Sequence, residues 1–288
     1  MSEEKSNPHG QTTGHVWDEN LAELTNPPPK WWMWGLHASW ILVLVYGIYY
    51  PAWPLLDDYT RGIAGWSSIK EYKKDLQEVE AIRAPYEEKI KSMSAAEILK
   101  DDQLKEYVTR SAKVLFGDNC AACHGSGGQG TIAESPEQSA FPSLADDDWL
   151  WGGTIEAITQ TITDGRKGMM PKMGGMQLTE EEIDKLANAI YNGKVTEEPL
   201  YMAKGCAGCH GPDGKGMQAL GSANLTDKIW RFRAKDQLAS IKYTIRHGVN
   251  DPTDPKTREA VMPAWKGRLD ENQIKKLAVF VHQLGGGQ

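Results

Sequence analysis

Cys120-Ala121-Ala122-Cys123-His124 and Cys206-Ala207-Gly208-Cys209-His210 decide how this chain is read. The two pentapeptides use all four cysteines of the 288-residue chain and share the spacing Cys-x-x-Cys-His. No cysteine is left for a structural disulfide. On one helical turn, thiols three residues apart can form thioethers to the two vinyl groups of a haem, while the adjoining imidazole reaches the iron. A thioredoxin-like dithiol needs a βαβ setting and leaves His124 and His210 unexplained. Zinc at one motif would be strained, and pooling both motifs does not account for the repeated histidine. The spacing predicts two covalently bound haem c groups.

An iron that carries electrons without binding substrate needs a sixth ligand, and a thioether sulfur raises its potential by favouring Fe(II). Moving outward from the motifs, Met170-Pro171 lies 46 residues after His124, and Met262-Pro263 lies 52 after His210. Each proline restricts the ligand loop. The predicted iron ligands are therefore His124, Met170, His210 and Met262, with Cys120, Cys123, Cys206 and Cys209 as attachment points. Met169, Met173 and Met176 are rivals to Met170, and His247 is a rival in the second half, read instead as a loop histidine. Gly125, Gly127, Gly128 and Gly130 after the first motif, and Gly211, Gly214 and Gly216 after the second, allow close turns against a haem face. Trp149, Trp151 and Trp230 are read either as packing on or bonding the macrocycle, or as simple core aromatics.

The motifs belong to a longer repeat. Thr161-Ile162-Thr163-Asp164-Gly165 parallels Thr244-Ile245-Arg246-His247-Gly248, and the two motif histidines are 86 residues apart. That period is too long for a solenoid and suits two tandem small domains, 104–194 and 195–288. A capping box at Thr179 and Glu182 precedes an apolar face of Ile183, Leu186, Ala187 and Ile190. Asp270 and Gln273 precede Ile274, Leu277, Ala278 and Val281 in the same way. Domains this small have little core of their own, and a large apolar cofactor would complete them.

Upstream, Trp31 to Leu56 are 26 residues without a formal charge, flanked by Trp31, Trp32 and Trp34 at one end and Tyr49, Tyr50 and Trp53 at the other. Length and aromatic belts predict a transmembrane helix over 31–56, retained as an anchor rather than cleaved. His37 inside it is either a functional polar residue or a neutral interfacial histidine. Residues 1–30 read as a flexible cytoplasmic tail ending in the Pro27-Pro28-Pro29 spacer, and 57–103 as a helical linker interrupted by Pro85. The basic residues Arg61, Lys70, Lys73 and Lys74 after the span argue for the opposite orientation, but large domains translocate largely regardless of charge. Haem chemistry places the C-terminal region outside the cytoplasm. With 32 Lys+Arg against 39 Asp+Glu, a net charge of -7 excludes a broad basic surface for nucleic acid. No residue has a clear acid–base or nucleophilic role.

Two class I cytochrome c domains behind one N-terminal anchor, with Cys-Ala-Ala-Cys-His-Gly (120–125), Asp-Asp-Asp-Trp-Leu-Trp-Gly-Gly (146–153) and Gly-Met-Met-Pro (168–171), resemble the dihaem subunit (CcoP/FixP) of cbb3-type cytochrome c oxidases. Trp-Trp-Met-Trp (31–34) and Tyr-Tyr-Pro-Ala-Trp-Pro (49–54) share that resemblance. It implies a mainly α chain in the bacterial inner membrane, with its haem domains in the periplasm. The chain would be a non-catalytic relay. Electrons would pass from a periplasmic donor, such as a soluble cytochrome c, to the haem–copper catalytic subunit, alongside the monohaem cytochrome c subunit. The resemblance also implies exchanged axial ligands, with Met262 on the haem of Cys120 and Cys123, and Met170 on the haem of Cys206 and Cys209. A free-standing membrane cytochrome serving several reductases is the alternative. A dihaem peroxidase would need an open iron position, which paired Met-Pro motifs disfavour.

Overall fold

The computed structural model describes residues 12–18 and 21–287, so much of the expected N-terminal tail, residues 1–11 and 19–20, lies outside it. The chain forms two compact units, 1–82 and 83–288. In the first, β1 (Thr12–Trp17) and β2 (Leu21–Leu24) pair antiparallel, with Trp17 opposite Leu21. Where composition implied a flexible tail, residues 12–17 and 21–24 instead pair as two short strands. Thr12, Thr13, Val16 and Trp17 favour extended backbone, and Asp18 leaves the strand with φ 47°.

Helix α1 (Lys30–Tyr49) is, among the described residues, the one helix long and apolar enough to cross a membrane. Only 6% of its most apolar window is buried, so Ile41, Leu42 and Leu44 face outward, unlike the side chains of a soluble core helix. Its last carbonyls are satisfied by chain that folds back: Ile63 N–H donates to Ile48 O at 3.0 Å and Ala64 N–H to Tyr49 O at 3.0 Å. Gly62 sits in this return with φ 70°, where a Cβ would collide with the Tyr49 carbonyl. Helix α2 (Ser68–Ser92) then runs as one helix through Pro85. Proline removes one backbone donor, and the remaining turns carry the helix on.

The second unit holds two cores. The first gathers Ile90, Ala95 and Ile98 with Leu104, Val108, Ala112 and Phe116 of α4 (Asp102–Asn119), Ile155, Ile158 and Ile162 of α6 (Ile155–Asp164), and Ile274, Leu277, Ala278 and Val281 of α11 (Glu271–His282). Residues 90–98, which include the short α3 (Ala95–Ile98), thus build core within the expected linker. The second core gathers Ile183, Leu186, Ala187 and Ile190 of α7 (Glu180–Tyr191), Tyr201 of α8 (Pro199–Ala203), and Ile241 and Ile245 of α10 (Gln237–His247). Both closing helices start at the capping boxes read from the sequence. They pack across the chain, however: α11 lies on α4 and α6, and α7 lies on α10. Each sequence repeat therefore contributes to both cores. Phe116 and Phe280, with ring centroids 5.1 Å apart, join the first repeat to the last helix. The short helices α5 (Ala121–His124) and α9 (Ala207–His210) carry the cysteine motifs.

Candidate functional site

Helix α4 delivers the first motif. Its N-terminus is capped by Asp101, which accepts from Leu104 N–H at 3.0 Å, and its buried face is spaced four residues apart down to Phe116. The chain passes through Cys120 directly into α5, so a packed helix fixes where the motif begins. The second motif is delivered by α8, anchored by Tyr201, whose hydroxyl donates to Gly211 O at 2.5 Å.

Both motif imidazoles are oriented alike. His124 Nδ1 lies 3.0 Å from Pro142 O, and His210 Nδ1 lies 2.8 Å from Ala223 O. A carbonyl only accepts, so Nδ1 carries the proton and Nε2 keeps its lone pair. Burial pushes both pKa values down, which keeps each ring neutral and ready to ligate. The four cysteines are free of disulfides, and burial pushes the Cys120 thiol up to about 11. Among the described residues no set of three His, Cys, Asp or Glu side chains is arranged to hold a metal ion.

The methionine loops cross. Strand β3 (Arg166–Lys167) pairs with β4 (Val261–Met262), setting Arg166 of the first repeat opposite Met262 of the second. Met170 forms the reciprocal bridge with Val249, its N–H donating to Val249 O at 2.9 Å and its carbonyl accepting from Val249 N–H at 2.8 Å. Two glycines make the crossings fit. Gly165, which ends α6 with φ 71°, would collide through a Cβ with the Met262 carbonyl, and Gly248, which ends α10 with φ 69°, would do so with the Met170 carbonyl. The Thr-Ile-x-x-Gly repeat seen in the sequence thus marks where the two methionine loops cross.

All eight predicted cofactor residues line one apolar cavity of about 520 Å³. Met169 and Met173 line it too, whereas Met176 and His247 do not. His247 Nδ1 instead faces Asp254 at 3.1 Å. Trp149, Trp151 and Trp230 all line the cavity, but each is partly committed. Trp149 Nε1 donates to Gly286 O, the Trp151 ring lies under Arg166 at 4.9 Å, and Trp230 stacks on Tyr191. Three lining residues were given no individual role in the sequence, although Asp148 lies in the quoted 146–153 stretch. Asp148 is a half-buried carboxyl pushed up to about 6 by burial, Asp227 and Asp146. Trp265 buries an indole N–H with no acceptor among the described residues. Arg231 lacks a carboxylate partner. Spacing assigns such groups no role, because their significance lies in what surrounds them.

The residues present fit a haem: an apolar cavity, attachment thiols beside it, imidazoles fixed by Nδ1, and a buried donor awaiting an acceptor. Comparison with known proteins agrees. Residues 9–57 match the family model for the N-terminal domain of cytochrome oxidase-cbb3, FixP, and residues 108–188 and 197–281 match that for cytochrome c oxidase, cbb3-type, subunit III. The chain is 40% identical to a cbb3-type cytochrome c oxidase subunit FixP of Azorhizobium caulinodans, covering 96% of this chain and 94% of the relative. It is 41% identical to a FixP of Bradyrhizobium diazoefficiens and 34% identical to a subunit CcoP of Cereibacter sphaeroides, each covering 96% of this chain and 95% of the relative. The crossed, twice-repeated site and the N-terminal helix thus sit in a member of the cbb3-type cytochrome c oxidase subunit III family, the FixP and CcoP proteins.

Proposed function

We propose that the chain is the electron-entry subunit of a cbb3-type oxygen reductase, binding two haem c groups and passing electrons towards a haem–copper catalytic subunit. A bound haem supplies one-electron Fe(III)/Fe(II) chemistry. The protein's own part is to hold and tune it. Cys120 and Cys123, and Cys206 and Cys209, provide thioether attachment, and His124 and His210 present Nε2 from rings held by backbone carbonyls. Met262 serves the group attached at Cys120 and Cys123, and Met170 the group attached at Cys206 and Cys209. The observation that carries this assignment is the paired crossing of the methionine loops over Gly165 and Gly248. Both irons are then fully ligated, and the chain itself reduces no oxygen.

The α1 helix anchors the chain in the membrane, with the haem-bearing unit on the periplasmic side and the catalytic and monohaem cytochrome c subunits as its neighbours. A soluble cytochrome c is the proposed donor. The free-standing shuttle is the weaker reading, since the relatives over nearly the full chain are named as oxidase subunits.

The test is the haem c to haem b ratio of the tagged protein purified from membranes in mild detergent, read from pyridine haemochrome spectra. Co-purifying haem b and oxygen uptake are expected. Two c haems per chain and nothing else, under conditions that keep other membrane complexes whole, would favour the shuttle. Stoichiometric carbon monoxide binding by the reduced chain alone would contradict full ligation of both irons.

A further inference from the structure

We infer that Arg231, which belongs to the second repeat by sequence, is the cationic partner of a propionate on the haem attached at Cys120 and Cys123. The inference rests on the dihaem reading above and deepens it: the second repeat supplies the first site with a positioning charge as well as a methionine.

The geometry places Arg231 on the first site. Its Nη1 donates to Ala140 O at 2.9 Å, and Ala140 lies two residues before Pro142, whose carbonyl holds the His124 ring. Arg231 lines the cavity.

What it lacks is an anion. Among the described residues it makes no ion pair; its protein contacts are the Ala140 carbonyl and the Phe232 ring, 4.8 Å from the guanidinium carbon. Burial and the nearby Arg258 charge push its pKa down to about 10. A half-buried guanidinium left in that state is costly unless something pairs with it. Arg233 also buries an Nε–H without an acceptor, but it does not line the cavity, and Arg258 and Arg166 do not share the deficit. Arg258 is buried too, but it donates to Gln138 O, Pro136 O, Ser240 Oγ and Thr244 Oγ1. Arg166, the other arginine lining the cavity, donates to Thr161 Oγ1 and Gln160 Oε1 and lies over Trp151. Arg231 alone of the three keeps most of its planar fork of donors without a protein acceptor, and a carboxylate is the group that fork suits. A haem brings two carboxylates as propionates, and a cation beside one of them favours the reduced iron.

The test is spectroelectrochemical titration of the full-length chain carrying both haems, with haem content counted first. In Arg231→Gln, one of the two c haems is expected to become at least tenfold harder to reduce, which is 59 mV for a one-electron couple. The other haem should stay in place. Combination with Met262→His or Met170→His, each of which lowers the potential of the iron it serves, assigns the shifted haem. No shift, an equal shift in both, or a shift confined to the haem of Cys206 and Cys209 would overturn the inference. Arg231→Lys keeps the experiment decisive if the glutamine variant does not accumulate. A lysine here loses its proton at lower pH than arginine, so the first haem's potential should begin to fall at lower pH in this variant than in the wild type. A flat profile identical to wild type would equally overturn it. Fewer than two c haems per wild-type chain would instead sink the dihaem reading itself.

Discussion

The two halves of the haem-bearing unit carry the same attachment motif, the same imidazole anchoring and the same glycine-seated crossing, yet they are embedded differently. The first core is larger, drawing on α3, α4, α6, α11 and the end of α2, while the second relies on α7, α8 and α10. The first histidine feels Arg231; the second does not. Repetition of ligands therefore does not mean repetition of environment. Ligand identity sets a range of potential, and local charge and burial set the position within it.

The largest expected effect tests whether the sites are independent. Replacing Cys120 and Cys123 by serine should reduce the pyridine haemochrome count from two c haems per chain to one, leaving the second site loaded. Loss of both would show that the exchanged segments bind the sites into a single unit.

Next comes the exchange of closing helices. Leu277 is fully buried in the first core and Leu186 nearly so in the second, so each alanine substitution should cost about 3 kcal/mol. The location of the damage is the informative part. In Leu277→Ala, hydrogen-exchange protection should fall in α4 and α6, and in Leu186→Ala in α10. Loss in α10 for Leu277→Ala would contradict the crossed packing.

A smaller effect concerns a polar cluster found only in the first core. Lys276 pairs with Glu87, and the Tyr107 hydroxyl donates to the same carboxylate at 2.6 Å. Burial raises the Glu87 pKa, but the Lys276 and Tyr107 hydrogen bonds outweigh it and hold the group below its ordinary value. Lys276→Met leaves that carboxylate unpaired and should cost about 2 kcal/mol by thermal or chemical unfolding. An unchanged midpoint would mean that water replaces the ammonium without loss.

The smallest effect is pH-dependent. The Asp148 pKa of about 6 lies above the ordinary value of 3.8, so the folded state holds this proton more tightly than the unfolded chain. Its stabilising contribution is complete below about pH 4 and is lost as pH rises through 6. Asp148→Asn should therefore raise Tm at pH 8 relative to wild type, by an amount equivalent to about 1 kcal/mol after solvent screening, and leave Tm unchanged at pH 4. An equal gain at both pH values would assign the effect to something other than titration.

Much of this architecture was legible in the chain. The cysteine motifs, the Met-Pro pairs, the capping boxes and the apolar faces of α7 and α11 are local signals, read over a few turns, and the structure forms helices where they predict. The uncharged run was equally plain, because hydrocarbon imposes a length and a composition on a span, but the helix covers Lys30–Tyr49 rather than 31–56, since Pro51 and Pro54 stop it and the chain turns back. The paired N-terminal strands were missed, since short strands with exposed side chains leave no alternating pattern strong enough to stand out from a polar tail.

Sequence alone determined what chemistry this protein is built for, because covalent attachment and iron ligation demand fixed residue types at fixed spacings. Only the tertiary structure decided how the two repeats are wired together. Gly165 and Gly248 read as ordinary helix ends until the backbone of the other repeat lies across them. Arg231 reads as one arginine among many until its missing counter-ion is seen beside the first site. Spacing along the chain reports local geometry, whereas pairing between distant segments depends on which surfaces bury each other, and that is settled by packing.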